Sequence, residues 1–114
     1  MRVWVIDDES EICQILAYLL KRDGHEIRTF ENPLHALDAI TTDRPETVIC
    51  DFKMPQMNGL EVFKNIKKTW HGHFIILTGE PSTDPQELTA QGIREVLFKP
   101  RDLPRIQTLL RELT

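Results

Sequence analysis

Acidic side chains stand where two apolar stretches of the chain end. The stretch VICDFKMPQMNG, residues 48–59, runs from buried-type residues into Asp51, and the first apolar run, RVWVI, is followed at once by Asp7 and Asp8. Carboxylates that meet in one crevice repel each other, by about 4 kcal/mol for a pair roughly 4 Å apart at an effective dielectric constant of about 20. Either some of them are protonated or a cation lies among them. Oxygen ligands of this kind suit Mg²⁺ or Mn²⁺, so the three acids indicate a divalent-cation site.

Two further polar residues also follow apolar runs. Thr78 ends FIILT, and Lys99 comes directly after EVLF. An ammonium group and a hydroxyl donor together suit the oxygens of a tetrahedral dianion. The chain has no P-loop glycine run and no Ser or Cys beside a His, whereas a carboxylate can itself accept a phosphoryl group. Asp51, central among these positions, is the best nucleophile, and the set predicts phosphoryl chemistry.

The order of the secondary-structure elements explains how these residues can meet. Apolar runs predict strands over 2–6, 26–30, 46–50, 74–78 and 95–98, and helical periodicity predicts helices over 9–22, 33–40, 59–70, about 85–91 and 103–113. Strands that alternate with helices pair in parallel through right-handed crossovers. We therefore predict an α/β fold, a five-stranded parallel sheet that is doubly wound with helices on both faces, and we take the order 2-1-3-4-5, one of the two common orders for such folds. Strands 1 and 3 are then neighbours at the switch point, where ligands bind in such folds.

Composition narrows the class of protein. A chain of 114 residues is the size of one domain, so we expect a single domain over 1–114. The net charge of −4 and the scattered basic residues argue against direct nucleic-acid binding, and no apolar run approaches the roughly 20 residues that span a bilayer. Cys13 and Cys50 are far apart and are expected to be small core residues in a reducing cytoplasm.

Structural readings of the same residues stay open at this point. Asp51 could be only a turn former or a helix N-cap, and Asp8 could cap the first helix. Lys99 could be a surface lysine before a turn, and Thr78 could be an ordinary β-branched strand residue. The H-x-H pair His71 and His73 could ligate a metal, but no third ligand accompanies it, so a solvated loop is expected. The joint occurrence of polar residues at four strand ends favours the functional reading.

The ordered set resembles the receiver domain of two-component response regulators over essentially the whole chain. The residues that carry the resemblance are Asp7-Asp8, Asp51 with Met54, Pro55 and Gly59 behind it, Thr78, and Lys99-Pro100. The resemblance implies that Asp51 takes a phosphoryl group from a sensor histidine kinase or a histidine phosphotransfer protein. The chain would then switch the binding of a downstream effector, as a monomer or a phosphorylation-dependent dimer. It would not be an enzyme, apart from its own phosphoryl transfer and dephosphorylation.

The resemblance also implies a ligand set for Mg²⁺. Asp8 and Asp51 would bind the ion directly, together with the backbone carbonyl of Lys53, and Asp7 would help through water.

The same resemblance assigns roles around the phosphoryl group. Thr78 and Lys99 would contact its oxygens, and the peptide bond between Lys99 and Pro100 is expected to be cis.

Two features depart from the family pattern. Val96 stands where the family often has Tyr or Phe, three residues before the lysine, and the fourth helix is short, so we expect the 79–87 loop to carry the output signal. Lys53 and Glu80 occupy positions that govern water access to the phosphate. We expect them to pair across the site and slow hydrolysis.

Two other functions share some of these features. A haloacid-dehalogenase-type phosphatase also uses a strand-end Asp, Mg²⁺, Thr and Lys, but it needs a second acid two residues after the nucleophile, where this chain has Lys53, and a cap domain. A receiver-like docking module that is never phosphorylated is the other alternative.

Overall fold

Five strands and five helices alternate along the chain in the computed structural model, which describes residues 1–114. The strands are β1 (Arg2–Ile6), β2 (Glu26–Phe30), β3 (Thr47–Asp51), β4 (His73–Thr78) and β5 (Glu95–Phe98). The helices are α1 (Ser10–Arg22), α2 (Pro33–Ala39), α3 (Gly59–Ile66), α4 (Pro85–Thr89) and α5 (Leu103–Leu113). All strand pairs are parallel, in the order β2-β1-β3-β4-β5, so the predicted fold class and topology are confirmed.

The helices cover both faces of the sheet, and each face has its own hydrophobic core. One cluster of 17 buried residues lies under α2, α3 and α4, and one of 12 lies under α1 and α5. Successive side chains of a strand point to opposite faces, so in β3 Val48 and Cys50 enter the first cluster and Ile49 enters the second. Burial on both faces explains why the strands read as continuous apolar runs.

Two element boundaries differ from the sequence prediction in a way that matters. β3 ends at Asp51, one residue later than predicted, so the acid is part of the ladder and lies opposite Leu77 of β4. α3 ends at Ile66 rather than at Trp70. The Trp70 side chain is buried, and its ring nitrogen donates a hydrogen bond to the Pro45 carbonyl oxygen at 2.7 Å. That contact pulls Trp70 out of the helical path. The other boundaries shift by at most about two residues, within the usual uncertainty of helix ends.

The N-terminus of α3 is fixed by a reciprocal cap behind the acid-bearing strand. The Asn58 side chain accepts from the Glu61 backbone N–H at 2.8 Å, and the Glu61 side chain accepts from the Asn58 N–H at 2.8 Å. At α4 the Asp84 side chain caps the helix by accepting from the Gln86 and Glu87 backbone N–H groups, without a reciprocal bond. None of the five helices has the length and apolar character that a membrane span requires.

Candidate functional site

Three carboxylates converge at the carboxyl end of the sheet. Asp7 follows β1 directly, Asp8 begins the next loop, and Asp51 is the last residue of β3. Since β1 and β3 are neighbours, one oxygen from each acid lies within 4.8 Å of the others. Asp7 and Asp51 are 1% and 5% exposed, whereas Asp8 is exposed. The cluster therefore has a buried floor and an open side.

Lys99 reaches into this cluster from the end of β5. Its Nζ lies 2.9 Å from Glu9 Oε1, 3.1 Å from Asp7 Oδ2 and 3.4 Å from Asp51 Oδ1. Burial acts to lower the pKa of Lys99, but the hydrogen bond from Glu9 and the charges of Asp7 and Asp51 outweigh it and raise the pKa above its ordinary value. Lys99 is therefore a fixed ammonium. Sequence reasoning missed Glu9; the available signal was a third consecutive acid after the Asp pair.

Lys99 balances only part of the negative charge of the acid cluster. Burial, and then the charge of Asp7, raise the pKa of Asp51 to about 7 from an ordinary 3.8, although Lys99 acts in the opposite direction. Burial also raises the pKa of Asp7. The donor set is all oxygen, closely spaced and anionic, which is the chemistry that a small hard cation such as Mg²⁺ binds. The residues fit such an ion.

Two thiols hold the backbone of the same acids. Cys13 Sγ donates to the Asp7 carbonyl oxygen at 3.3 Å, and Cys50 Sγ donates to the Asp51 carbonyl oxygen at 3.2 Å. Both cysteines are free and buried, as predicted. Burial raises the pKa of the Cys13 thiol to about 11, so it stays protonated at neutral pH and keeps its donor.

Thr78 ends β4 beside Lys99 on the next strand. The Lys99 backbone N–H donates to the Thr78 carbonyl oxygen at 2.8 Å. The buried Thr78 hydroxyl accepts from the Glu80 backbone N–H at 3.0 Å and lies 3.1 Å from the Thr83 hydroxyl. Thr78 is thus tied to the β4–α4 loop. Thr83 was not found from the sequence, because nothing local marks a residue that meets a strand end across a loop.

An ion pair connects the β3–α3 loop to the β4–α4 loop. Lys53 Nζ is 3.5 Å from Glu80 Oε1, so the predicted pairing is present. Both side chains are well exposed, at 78% and 42%. They border a cleft of about 360 Å³ between the β3–α3 and β4–α4 loops, with Phe52, Leu60 and Leu88 as its apolar part.

Gly59 lets α3 pack directly against the acid-bearing strand. Its N–H donates to the Phe52 carbonyl oxygen at 2.7 Å. A Cβ at this position would lie 2.6 Å from the Asp51 carbonyl oxygen and 2.6 Å from Ile76 Cδ1, closer than real contacts allow. Only glycine fits at this position.

The structure also locates the remaining sequence predictions. The peptide bond between Lys99 and Pro100 is cis. Val96 is buried in β5, 8% exposed, within the core under α4. His73 lies in β4 and His71 in the loop before it, and the pair belongs to no group of three candidate metal ligands.

Known proteins are similar to this chain in sequence and in fold. Residues 3–111 match the profile of the family described as response regulator receiver domain. The DNA-binding transcriptional regulator NtrC of Proteus hauseri is 33% identical over 110 residues, which are 95% of this chain and 23% of that protein. The transcriptional regulatory protein ZraR of Klebsiella oxytoca is 33% identical over 113 residues, which are 96% of this chain and 25% of that protein. The chain thus spans about a quarter of the length of these relatives.

A solved structure is similar over nearly its whole length. It is the response regulator protein TrrA from Thermotoga maritima in complex with Mg²⁺-BeF, 31% identical, with a TM-score of 0.87. The match covers 99% of this chain and 98% of that chain.

Proposed function

The chain belongs to the response regulator receiver domain family, and we propose that Asp51 is its phosphoacceptor and that residues 1–114 form one receiver domain. The observation that carries the assignment is the position of Asp51. It is a buried carboxylate at the end of the central strand, 3.4 Å from a fixed ammonium group and within the acid cluster. The phosphodonor is a phosphohistidine on a sensor histidine kinase or a histidine phosphotransfer protein.

The transfer is a single displacement at phosphorus. An oxygen of the ionised Asp51 side chain attacks phosphorus, the N–P bond of the phosphohistidine breaks, and its electron pair stays on the imidazole nitrogen. Lys99 lies where charge on the phosphoryl oxygens can be neutralised, and charge neutralisation with positioning is most of what this reaction requires. The chain transfers the group only to itself and releases it by hydrolysis, so it is a signalling switch and not a turnover enzyme.

The cation of the site is Mg²⁺, with Mn²⁺ as an alternative. Asp8 and Asp51 would hold it together with the backbone carbonyl of Lys53, and Asp7 would assist them. When bound, the ion supplies positive charge that keeps the carboxylates ionised and offsets the charge of the transferring group. The closely spaced oxygens of the three acids and the raised pKa of Asp51 support a cation at this cluster, as does the Mg²⁺ in the TrrA complex.

Thr78 couples the phosphoryl group to the surface. Its hydroxyl turns toward a phosphoryl oxygen and loosens its bonds to the Glu80 N–H and the Thr83 hydroxyl. Position 96, where the family often has Tyr or Phe, is Val and has no aromatic ring that could move with Thr78. The 79–87 loop therefore carries the output signal. The cleft beside that loop changes shape as a result, and the binding of a downstream effector changes with it, in a monomer or a phosphorylation-dependent dimer. The partner is a protein in the cytoplasm, without direct contact of this domain to nucleic acid or membrane.

The ion pair of Lys53 and Glu80 slows hydrolysis of the aspartyl phosphate by limiting the approach of water. Replacing either residue by Ala should shorten the half-life of the adduct, by about 2- to 10-fold, the range of a modest barrier change of about 0.4 to 1.4 kcal/mol. The half-life is measured from the rate at which the purified adduct loses its phosphoryl label. A half-life equal to or longer than that of the wild type contradicts this role, and Lys64→Ala on α3 is a matched control for the loss of one exposed lysine.

Incubation with acetyl phosphate and Mg²⁺ tests the function itself. We expect one base-labile phosphoryl group per chain by mass spectrometry, absent in Asp51→Asn and retained in Asp38→Asn, an exposed acid on α2. Sustained release of phosphate over many turnovers would instead indicate a phosphatase of the haloacid-dehalogenase type. No adduct and no turnover would indicate a docking module that is not phosphorylated.

A further inference from the structure

Glu9 is the acidic partner of Lys99 that the proposed phosphoryl transfer does not use. Its Oε1 lies 2.9 Å from Lys99 Nζ, the shortest of the three contacts that this ammonium group makes. Asp7 and Asp51 are held by the sheet, whereas the Glu9 side chain is 61% exposed. Asp7 and Asp51 are therefore fixed partners of Lys99, whereas the Glu9 carboxylate can move away into solvent.

The position of Glu9 in α1 points in the same direction. Glu9 is the N-cap residue of the 13-residue helix α1, and its side chain accepts no bond from the backbone N–H groups of the first turn. Its backbone N–H donates to Asp7 Oδ1 at 2.9 Å, which fixes the main chain, and the carboxylate is directed to Lys99 instead. The side chain is thus committed to the site and not to the helix.

We propose that Glu9 is a positioning residue that competes with the incoming phosphoryl group for Lys99. The inference rests on the proposed function of Asp51. While Glu9 is bound, it occupies one of the three ammonium donors and offsets part of the positive charge that a phosphodonor dianion meets. When the phosphoryl group arrives, two anions claim the same lysine, and Glu9 withdraws because it is the exposed partner. Glu9 thereby lowers the rate at which Asp51 is phosphorylated.

Substitutions at one position separate contact from charge. Glu9→Gln removes the competing anion, and Glu9→Asp keeps the charge but shortens the side chain by one methylene, so that it falls short of Lys99. Glu11→Gln is the matched control, since Glu11 is an exposed acid in the first turn of the same helix and has no ion pair with Lys99.

The expected result is faster phosphorylation of Asp51, together with a separate effect on the affinity for Mg²⁺. With acetyl phosphate and saturating Mg²⁺, Glu9→Gln and Glu9→Asp should be phosphorylated about 1.5- to 5-fold faster than the wild type, the range of a partly exposed ion pair. Glu9→Gln should also bind Mg²⁺ more weakly, because the site loses a negative charge, while Glu9→Asp should bind it as the wild type does. A general structural defect would not raise one property and lower the other.

A second readout needs neither metal nor phosphodonor. In metal-free protein, the Lys99 ammonium protons should exchange with water about 1.5- to 5-fold faster in Glu9→Gln than in the wild type or Glu11→Gln, measured by NMR of the side-chain nitrogen. If the wild type is phosphorylated on Asp51 but the Glu9 variants are phosphorylated at the same rate or more slowly, the inference about Glu9 is overturned and the proposed function is not. Absence of any adduct in the wild type overturns the proposed function and this inference with it.

Discussion

Removal of the Asp51 charge should stabilise the metal-free protein at alkaline pH. The folded protein raises the pKa of Asp51 to about 7 from 3.8, chiefly through burial and then through the charge of Asp7. The folded state therefore binds this proton more tightly than the unfolded state does. The stability linked to it is fully present below about pH 4, and it is lost as pH rises through about 7.

The magnitude follows from the size of the shift. A difference of about 3 pKa units corresponds to about 4 kcal/mol, at about 1.4 kcal/mol per unit. This is an upper bound for Asp51→Asn, because Lys99 loses a charged partner in the variant. We expect a gain of about 2 kcal/mol in the free energy of unfolding near pH 8, fading toward pH 5. Asp7, whose pKa is also raised by burial, contributes a slope of the same sign in both proteins.

Urea unfolding in EDTA from about pH 5 to about pH 8, at constant ionic strength, measures this effect. Asp38→Asn is the control for loss of one exposed acid. Mg²⁺ at a hundred times its dissociation constant should add about 2.7 kcal/mol to the wild type, and far less to Asp51→Asn. A wild-type stability that does not fall over this range, or an equal fall in Asp51→Asn, would refute the electrostatic account of the site.

Two further predictions concern the supports of the site. Gly59→Ala should lower the free energy of unfolding by about 1 to 3 kcal/mol and weaken Mg²⁺ binding, because the added Cβ displaces the Asp51 carbonyl, 2.6 Å away; urea unfolding and a Mg²⁺ titration measure the two effects, and unchanged Mg²⁺ affinity would contradict the link. Thr83→Val should free the Thr78 hydroxyl and increase the steady-state phosphorylated fraction, at acetyl phosphate concentrations well below saturation, by about 2- to 5-fold, the worth of one weak neutral hydrogen bond; quantitative mass spectrometry checks it, with Thr89→Val on α4 as control, and a fraction equal to that of the wild type would sink the idea.

The residues at the strand ends could be predicted from the sequence. A strand that is buried on both faces of a sheet reads as a continuous apolar run, and a polar residue marks where the run stops. Asp7, Asp51, Thr78 and Lys99 each interrupt an apolar run, and parallel topology brings such ends to one edge. The alternation of elements predicted the parallel sheet, and the strand order was taken from the two that are common in doubly wound folds. This part of the site depends on local patterns and general rules of topology.

Residues that act through long-range contacts could not be found in the same way. Glu9 meets Lys99 across 90 positions of sequence, and its type alone does not distinguish it from any exposed acid. α3 stops at Ile66 because Trp70 bonds to the Pro45 carbonyl, 25 residues away, a constraint that helical periodicity does not contain. Tertiary contacts set these features, and only the folded chain shows them.

The two thiols beneath the acids make each side of the sheet separately observable. Cys13 belongs to the core under α1 and α5, and Cys50 to the core under the other three helices. Since both are sealed and protonated in the native state, an alkylating reagent can react with either one only after the corresponding layer has opened. The natural chain therefore carries an unengineered pair of reporters, one for each layer, and their labelling rates would tell whether the two layers come apart together or one after the other.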